Sequence, residues 1–131
     1  TIILKEAPHD WLLPQCCSVV HHGGVGTMHT ALRAGKPAVV TPIFADQFSH
    51  AVLTQKLGAG VGFEVGLQHL TAEELAEAIV SAEAKTAVAE ALGKKMRSHH
   101  GERDAAIVID QFLKKEVAAG MWMVPGRTRF N

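Results

Sequence analysis

Ser18-Val19-Val20-His21-His22-Gly23-Gly24-Val25-Gly26-Thr27 is the stretch whose reading decides the fold. Ser18-Val19-Val20 is short, apolar and β-branched, as a buried strand should be. Beyond the glycines, Met28-His29-Thr30-Ala31-Leu32-Arg33-Ala34 continues as a helix, and Gly35 offers its C-terminal stop. A glycine-rich turn between strand and helix leaves backbone N–H groups without intrahelical partners, at the positive end of the helix dipole. An anion, most often a phosphate, fits that place. Three glycines let the backbone approach a ligand closely, and Thr27 adds a hydroxyl donor. The same glycines also suit a plain tight turn in a parallel sheet, where they serve backbone geometry alone. His22 and the later Asp46-Gln47 pair shift the balance towards the anion.

Upstream, Thr1-Ile2-Ile3-Leu4 predicts a first strand, with Glu6-Ala7-Pro8-His9 as the turn leaving it. Asp10-Trp11-Leu12-Leu13 predicts one helical turn, capped by Asp10 and ended by Pro14. Downstream, Gly35-Lys36-Pro37 links the first full helix to a second buried strand, Ala38-Val39-Val40. Thr41-Pro42-Ile43-Phe44-Ala45 is a loop, and Asp46 is expected to cap a helix running to about Leu57. Gly58-Ala59-Gly60 breaks that helix before a final strand, Val61-Gly62-Phe63-Glu64. Strands separated by helices make βαβ units, so the expected class is α/β, a Rossmann-like parallel sheet flanked by helices. Ligands in such sheets sit beyond the carboxyl ends of the strands, where the glycine loop and residues 41–47 both fall.

The second half reads as a helical C-terminal region without visible chemistry. Thr71-Ala72-Glu73-Glu74 is a capping box, with Leu70 and Leu75 at the spacing of a hydrophobic staple. Leu75 and Ile79 head one apolar stripe, and Val88, Leu92 and Met96 another. A last helix over residues 103–118 is expected to turn Ile107, Val108, Phe112 and Leu113 inward. The apolar Met121-Trp122-Met123-Val124-Pro125-Gly126-Arg127 is expected to cover a surface. One domain over residues 1–131 follows: a βαβ core with the ligand loops in 1–66, a helical part in 67–118 and a tail in 119–131.

Composition narrows the function. Thirteen basic residues balance thirteen acidic ones, so no net field draws in nucleic acid or an anionic membrane. No apolar run is long enough for a membrane span. The only cysteines, Cys16 and Cys17, are neighbours, which rules out a disulfide framework and suits a reducing, cytoplasmic setting. A start at Thr1 that enters a strand at once reads as a piece of a longer protein.

Four blocks in order are more specific than any one of them. Ala7-Pro8-His9-Asp10-Trp11-Leu12-Leu13-Pro14-Gln15, the His21–Thr27 loop, Leu32-Arg33-Ala34-Gly35-Lys36-Pro37 and Thr41-Pro42-Ile43-Phe44-Ala45-Asp46-Gln47 resemble the nucleotide-sugar signature of UDP-glycosyltransferases. The wording is most similar to that of sterol 3-beta-glucosyltransferases. The resemblance covers about residues 1–115. It implies the C-terminal, donor-binding half of a GT-B fold. It further implies that His22 bonds the diphosphate, that Gly23, Gly24, Gly26 and Thr27 cradle the phosphates, and that Asp46 and Gln47 bond sugar hydroxyls. The implied donor is a UDP-sugar, UDP-glucose first, and the implied acceptor a sterol or other lipophilic alcohol bound by an absent N-terminal domain. That domain would also supply the catalytic base. No metal and no cofactor are implied, and the whole enzyme would be cytoplasmic or peripheral to a membrane.

Two positions depart from the plant form of the signature. Glu6 stands where a uracil-stacking tryptophan precedes the Ala-Pro, and Thr30 where a ribose-binding glutamate follows the histidine. Trp11 and His9 are the nearby candidates for a uracil contact, and Trp11 reads equally as a core or interface aromatic. His21 joins the ligand, supports the loop or simply ends the strand. His29, inside the following helix, reads as structural or solvent-facing, and His50, His69, His99 and His100 as surface or helix-end residues. His21, His22 and His29 lack a partner cysteine or carboxylate at zinc spacing. A dinucleotide fingerprint fails because His29 holds the place of the third glycine, and a P-loop fails for want of its Gly-Lys-Ser/Thr ending. Two other classes stay open: a split or stand-alone nucleotide-sugar-binding module joined to a partner chain, and a GT-B-type sugar-nucleotide epimerase.

Overall fold

A computed structural model of the chain describes residues 1–117 and 120, so the expectation for residues 121–127 lies outside the described residues. The chain divides into two compact units, Thr1–Ser98 and His99–Asn131. The first unit carries a three-stranded, all-parallel sheet in the order β1-β2-β3. Its strands are β1 (Val19–His21), β2 (Ala38–Val40) and β3 (Gly60–Gly62). Val19 pairs with Ala38 and Val20 with Val39, while Ala38 pairs with Gly60. Its helices are α1 (His9–Leu12), α2 (Val25–Ala34), α3 (Gln47–Lys56), α4 (Ala72–Glu83) and α5 (Thr86–Ser98). Because α2 connects β1 to β2 and α3 connects β2 to β3, the βαβ reading holds.

Alternation along the strands decides which helix covers which face. Val19 packs with Leu13 and Ala31, so the face it shares with Ala38 and His21 lies under α2. Gly62, in register with Val40, turns its open side to Ala51 of α3, which therefore shares that face. Val39 points the other way, against Ala78 and Ala82 of α4, with Leu75 and Ile79 packed around them. Buried Val39 and Val40 are the centre of this two-sided core. On its far side α2 packs Met28 and Leu32 against Ala89, Leu92 and Met96 of α5. The two helices also exchange guanidinium bonds: Arg33 Nη1 donates to the Met96 carbonyl at 3.1 Å, and Arg97 donates to the Arg33 carbonyl.

Helix ends follow local chemistry. Gly35 ends α2 at φ 72°, a left-handed cap that glycine adopts without a Cβ penalty. At α4 the capping box is complete: the Glu74 N–H donates to Thr71 Oγ1 at 3.2 Å, and the Thr71 N–H donates to Glu74 Oε2 at 2.8 Å. The bond from the Thr71 backbone, then that from its hydroxyl, holds the Glu74 carboxyl below its usual range.

Four expectations fail. Residues 1–4 form no strand, and Ile2, Ile3 and Leu4 are exposed; the run has strand propensity, but no described strand pairs with it. Asp10 does not cap α1: Pro8 holds that position, and Asp10 Oδ1 accepts only the next N–H, from Trp11, at 3.1 Å. Asp46 precedes α3 in helical geometry and gives it no side-chain cap, so the helix begins by backbone bonding alone. In the second unit α6 spans Gly101–Phe112, followed by a π-helical turn at Leu113–Val117. Ile107, Val108, Phe112 and Leu113 are exposed rather than inward, because periodicity marks an apolar face without supplying what covers it.

Candidate functional site

The carboxyl end of β1 delivers the chain straight into the glycine loop. Gly23 takes φ 94°, a conformation that L side chains rarely adopt. A Cβ there would also lie 2.8 Å from Val40 Cγ1 and 3.1 Å from the Gln47 carbonyl oxygen. The loop therefore lies directly on the end of β2 and the first residue of α3. Gly24 follows as the N-cap of α2 with no side-chain cap, and the first intrahelical bond runs from the Met28 N–H to the Gly24 carbonyl at 2.9 Å. The amides of Val25, Gly26 and Thr27 are thus the orphan donors of the helix start.

His22 is exposed, and its imidazole rests over Gly24, where a Cβ would come within 2.5 Å of Nε2. The ring occupies that place over the N-cap of α2 only because residue 24 has no side chain. His21 behaves differently. It is buried, and its Nδ1 accepts the Gly23 N–H at 3.0 Å. An accepting Nδ1 places the ring proton on Nε2, and Nε2 is buried without a partner among the described residues. Burial first, then the neighbouring His22, lowers the pKa of His21 to about 4, so it is neutral at physiological pH. His21 supports the loop from beneath.

The second loop rises from β2. Gln47 is buried, and its Oε1 accepts the N–H groups of Ile43 at 2.8 Å and Phe44 at 3.1 Å. Its oxygen is committed to shaping residues 41–45. The bend also places Ala45 at φ 56°, a strained value for a residue with a Cβ. Asp46 beside it is exposed, and its backbone carbonyl accepts the His50 N–H at 3.0 Å.

His50, expected at the surface or a helix end, is half-buried, and its Nδ1 lies 2.7 Å from the Gly23 carbonyl oxygen. Its position one helical turn beyond Asp46-Gln47 is the signal that it faces the same end of the sheet. His9 and Trp11 lie on α1, both exposed, Trp11 by 61%. His29, His69, His99 and His100 are exposed as expected. Cys16 packs beside Leu13 and Val19, whereas Cys17 is exposed. Among the described residues, no group of three or more His, Cys, Asp or Glu side chains is placed to hold a metal. Among the described residues, no helix is long and apolar enough to cross a membrane.

Sequence and structure comparisons converge on this architecture. Residues 3–112 match the family described as erythromycin biosynthesis protein CIII-like, C-terminal domain. A sterol 3-beta-glucosyltransferase of Yarrowia lipolytica is 41% identical over 101 residues, covering 75% of this chain and 7% of that protein. A sterol 3-beta-glucosyltransferase of Arabidopsis thaliana is 37% identical over 118 residues, covering 88% of this chain and 19% of that protein. The chain thus spans less than a fifth of either curated relative. Among solved structures, the kitacinnamycin glycosyltransferase superposes with a TM-score of 0.71 at 28% identity, over 81% of this chain and 28% of that one. The glycosyltransferase SnogD of Streptomyces nogalater gives 0.58 at 30% identity, over 79% of this chain and 28% of its own. The chain therefore belongs to the erythromycin biosynthesis protein CIII-like C-terminal-domain family and has the parallel, helix-flanked fold of the C-terminal half of a GT-B glycosyltransferase.

Proposed function

We propose that this chain grips the diphosphate and sugar of a UDP-sugar, UDP-glucose first, as the donor half of an inverting glycosyltransferase acting on a sterol or similar lipophilic alcohol. The observation that carries the reading is the contact of Gly23 with Gln47, which joins the two loops at the carboxyl ends of adjacent parallel strands. The open amides of the α2 start and the His22 imidazole offer donors to a pyrophosphate. Asp46 offers acceptors, and the Gln47 amide offers donors, to neighbouring sugar hydroxyls. As the bond to the anomeric carbon breaks, negative charge grows on the departing diphosphate, and donors fixed in advance stabilise it. The acceptor hydroxyl attacks that carbon, and its proton passes to a base outside these residues. The curated relatives, named as sterol 3-beta-glucosyltransferases, support the acceptor class.

Calorimetric titration of the chain with UDP and UDP-glucose, paired with a transfer assay, tests the reading. Weak binding without transfer is expected. His22→Ala should weaken UDP binding by about 1.5–3 kcal/mol, the cost of losing a hydrogen bond to a charged group, while His99→Ala leaves it unchanged. Equal effects from both variants would remove His22 from the site.

A further inference from the structure

We infer that His50 is a positioning residue that locks the diphosphate loop to the sugar loop through the peptide groups of Gly23, an inference that rests on the donor-binding reading above. Gly23 is held at both of its polar groups by imidazoles from different elements. Its N–H donates to Nδ1 of His21, on β1, at 3.0 Å. Its carbonyl oxygen lies 2.7 Å from Nδ1 of His50, on α3. A carbonyl can only accept, so the second bond places the His50 proton on Nδ1. The two histidines therefore hold opposite tautomers, one accepting and one donating, around a single residue at φ 94°.

That clamp has a mechanical consequence. Gly23 immediately precedes the N-cap of α2, so its orientation fixes the direction of the amides that follow. His50 itself is anchored from below, because Thr54 Oγ1 donates to its carbonyl at 2.9 Å and Thr54 is fully buried. Its own N–H donates to the carbonyl of Asp46. The helix that presents Asp46 and Gln47 thus also sets the loop that presents His22, and a shift of either loop strains the other. A ring at position 50 without a donor would leave the Gly23 carbonyl half-buried and unpaired, free to turn with its peptide. Binding groups placed by such supports lose affinity when the support is removed, although the support never touches the ligand.

Two substitutions separate hydrogen bonding from packing. His50→Asn keeps a donor close to the place of Nδ1 and loses bulk, whereas His50→Phe keeps bulk and loses the donor. In titrations of the chain with UDP, His50→Phe should bind about tenfold more weakly and His50→Asn within about twofold of the parent. The opposite order, or parent-like binding by His50→Phe, overturns the inference while leaving the donor-binding reading intact. Nitrogen-15 NMR of the parent imidazoles gives a second readout that needs no variant to fold. His50 should be protonated on Nδ1 and His21 on Nε2. A His50 proton found on Nε2 refutes the clamp whatever the titrations give. Failure of the parent to bind UDP sinks the donor-binding reading, and with it the purpose assigned to the clamp.

Discussion

Replacing Gly24 by alanine asks whether a missing side chain, rather than a present one, sets the ligand geometry. The backbone there, φ −58° and ψ 135°, is open to any L-residue, so the substitution carries no conformational strain. The added methyl would lie 2.5 Å from His22 Nε2 and 3.3 Å from Cε1. No other residue lies that close, and His22 is exposed, so its ring can swing outward while the core stays as it is. Alanine is a poorer N-cap than glycine by roughly 0.5–1 kcal/mol. Reduced freedom of the unfolded chain returns about 0.4–1 kcal/mol. Stability should thus change by less than about 0.5 kcal/mol. Ligand binding should change far more. A displaced imidazole forfeits a hydrogen bond to a charged phosphate, about 1.5–3 kcal/mol, or roughly 10–150-fold in UDP affinity. Calorimetric titration with UDP beside a thermal melt separates the two effects. Because the loss runs through His22, the Gly24→Ala, His22→Ala double variant should bind no more weakly than His22→Ala alone. A Gly24→Ala protein that binds UDP within twofold of the parent, at unchanged melting temperature, refutes the reasoning.

Two further outcomes follow from buried features. His21, its pKa lowered from 6.5 to about 4, stays neutral while the unfolded chain takes up a proton. Stability at neutral pH is therefore lost as pH falls from 6.5 to 4, by about 3 kcal/mol in total at 1.36 kcal/mol per unit. His21→Asn keeps an acceptor for Gly23 and cannot titrate, so denaturant titrations across that window should show a flatter profile; the same slope in both proteins counts against the assignment. At the α2–α5 crossing, a Cβ on Gly93 would lie 2.6 Å from Gly35 Cα and 2.8 Å from the Leu32 carbonyl oxygen, which are backbone atoms with nowhere to go. Gly93→Ala gains about 1 kcal/mol of helix propensity but overpacks the crossing by about 3, a net loss of roughly 2 kcal/mol. A melting temperature equal to or above the parent's would contradict that crossing.

The legible parts of this chain are those in which the signal is local. The β-branched run at Val19-Val20, the apolar Ala38-Val39-Val40, the left-handed Gly35 and the Thr71–Glu74 capping box each contain their own cause, and each forms as read. The failures are of another kind. Ile2-Ile3-Leu4 has the composition of a strand, yet a strand is defined by a neighbour, and composition carries none. Ile107 to Leu113 has the period of a buried helix face, yet burial depends on an opposing surface. Asp46 has the side chain of a cap, but its backbone stands at φ −69° and ψ −11°, already helical rather than the extended conformation a capping residue takes. At the site, His22 stands out beside glycines, whereas His50 lies 27 residues from the carbonyl it faces, so only the folded chain brings the two together.

On the donor-binding proposal, these placements also explain how a chain without net charge would hold a pyrophosphate. From Cys16 to Leu32, and again from Pro37 to Ala45, the sequence contains no Lys, Arg, Asp or Glu. Attraction at the loop must come from oriented dipoles and from the His22 imidazole. Dipoles act only in the direction in which they are held, and a misaligned amide loses most of its effect. That requirement gives a common reason for the costs visible around Gly23. A buried imidazole whose Nε2 has no partner among the described residues and a positive φ at Ala45 are each unfavourable alone. The two imidazoles fix the Gly23 peptide groups that precede α2, and the Gln47 bonds fix the loop beside them, so rigidity stands in for the formal charge the loop lacks.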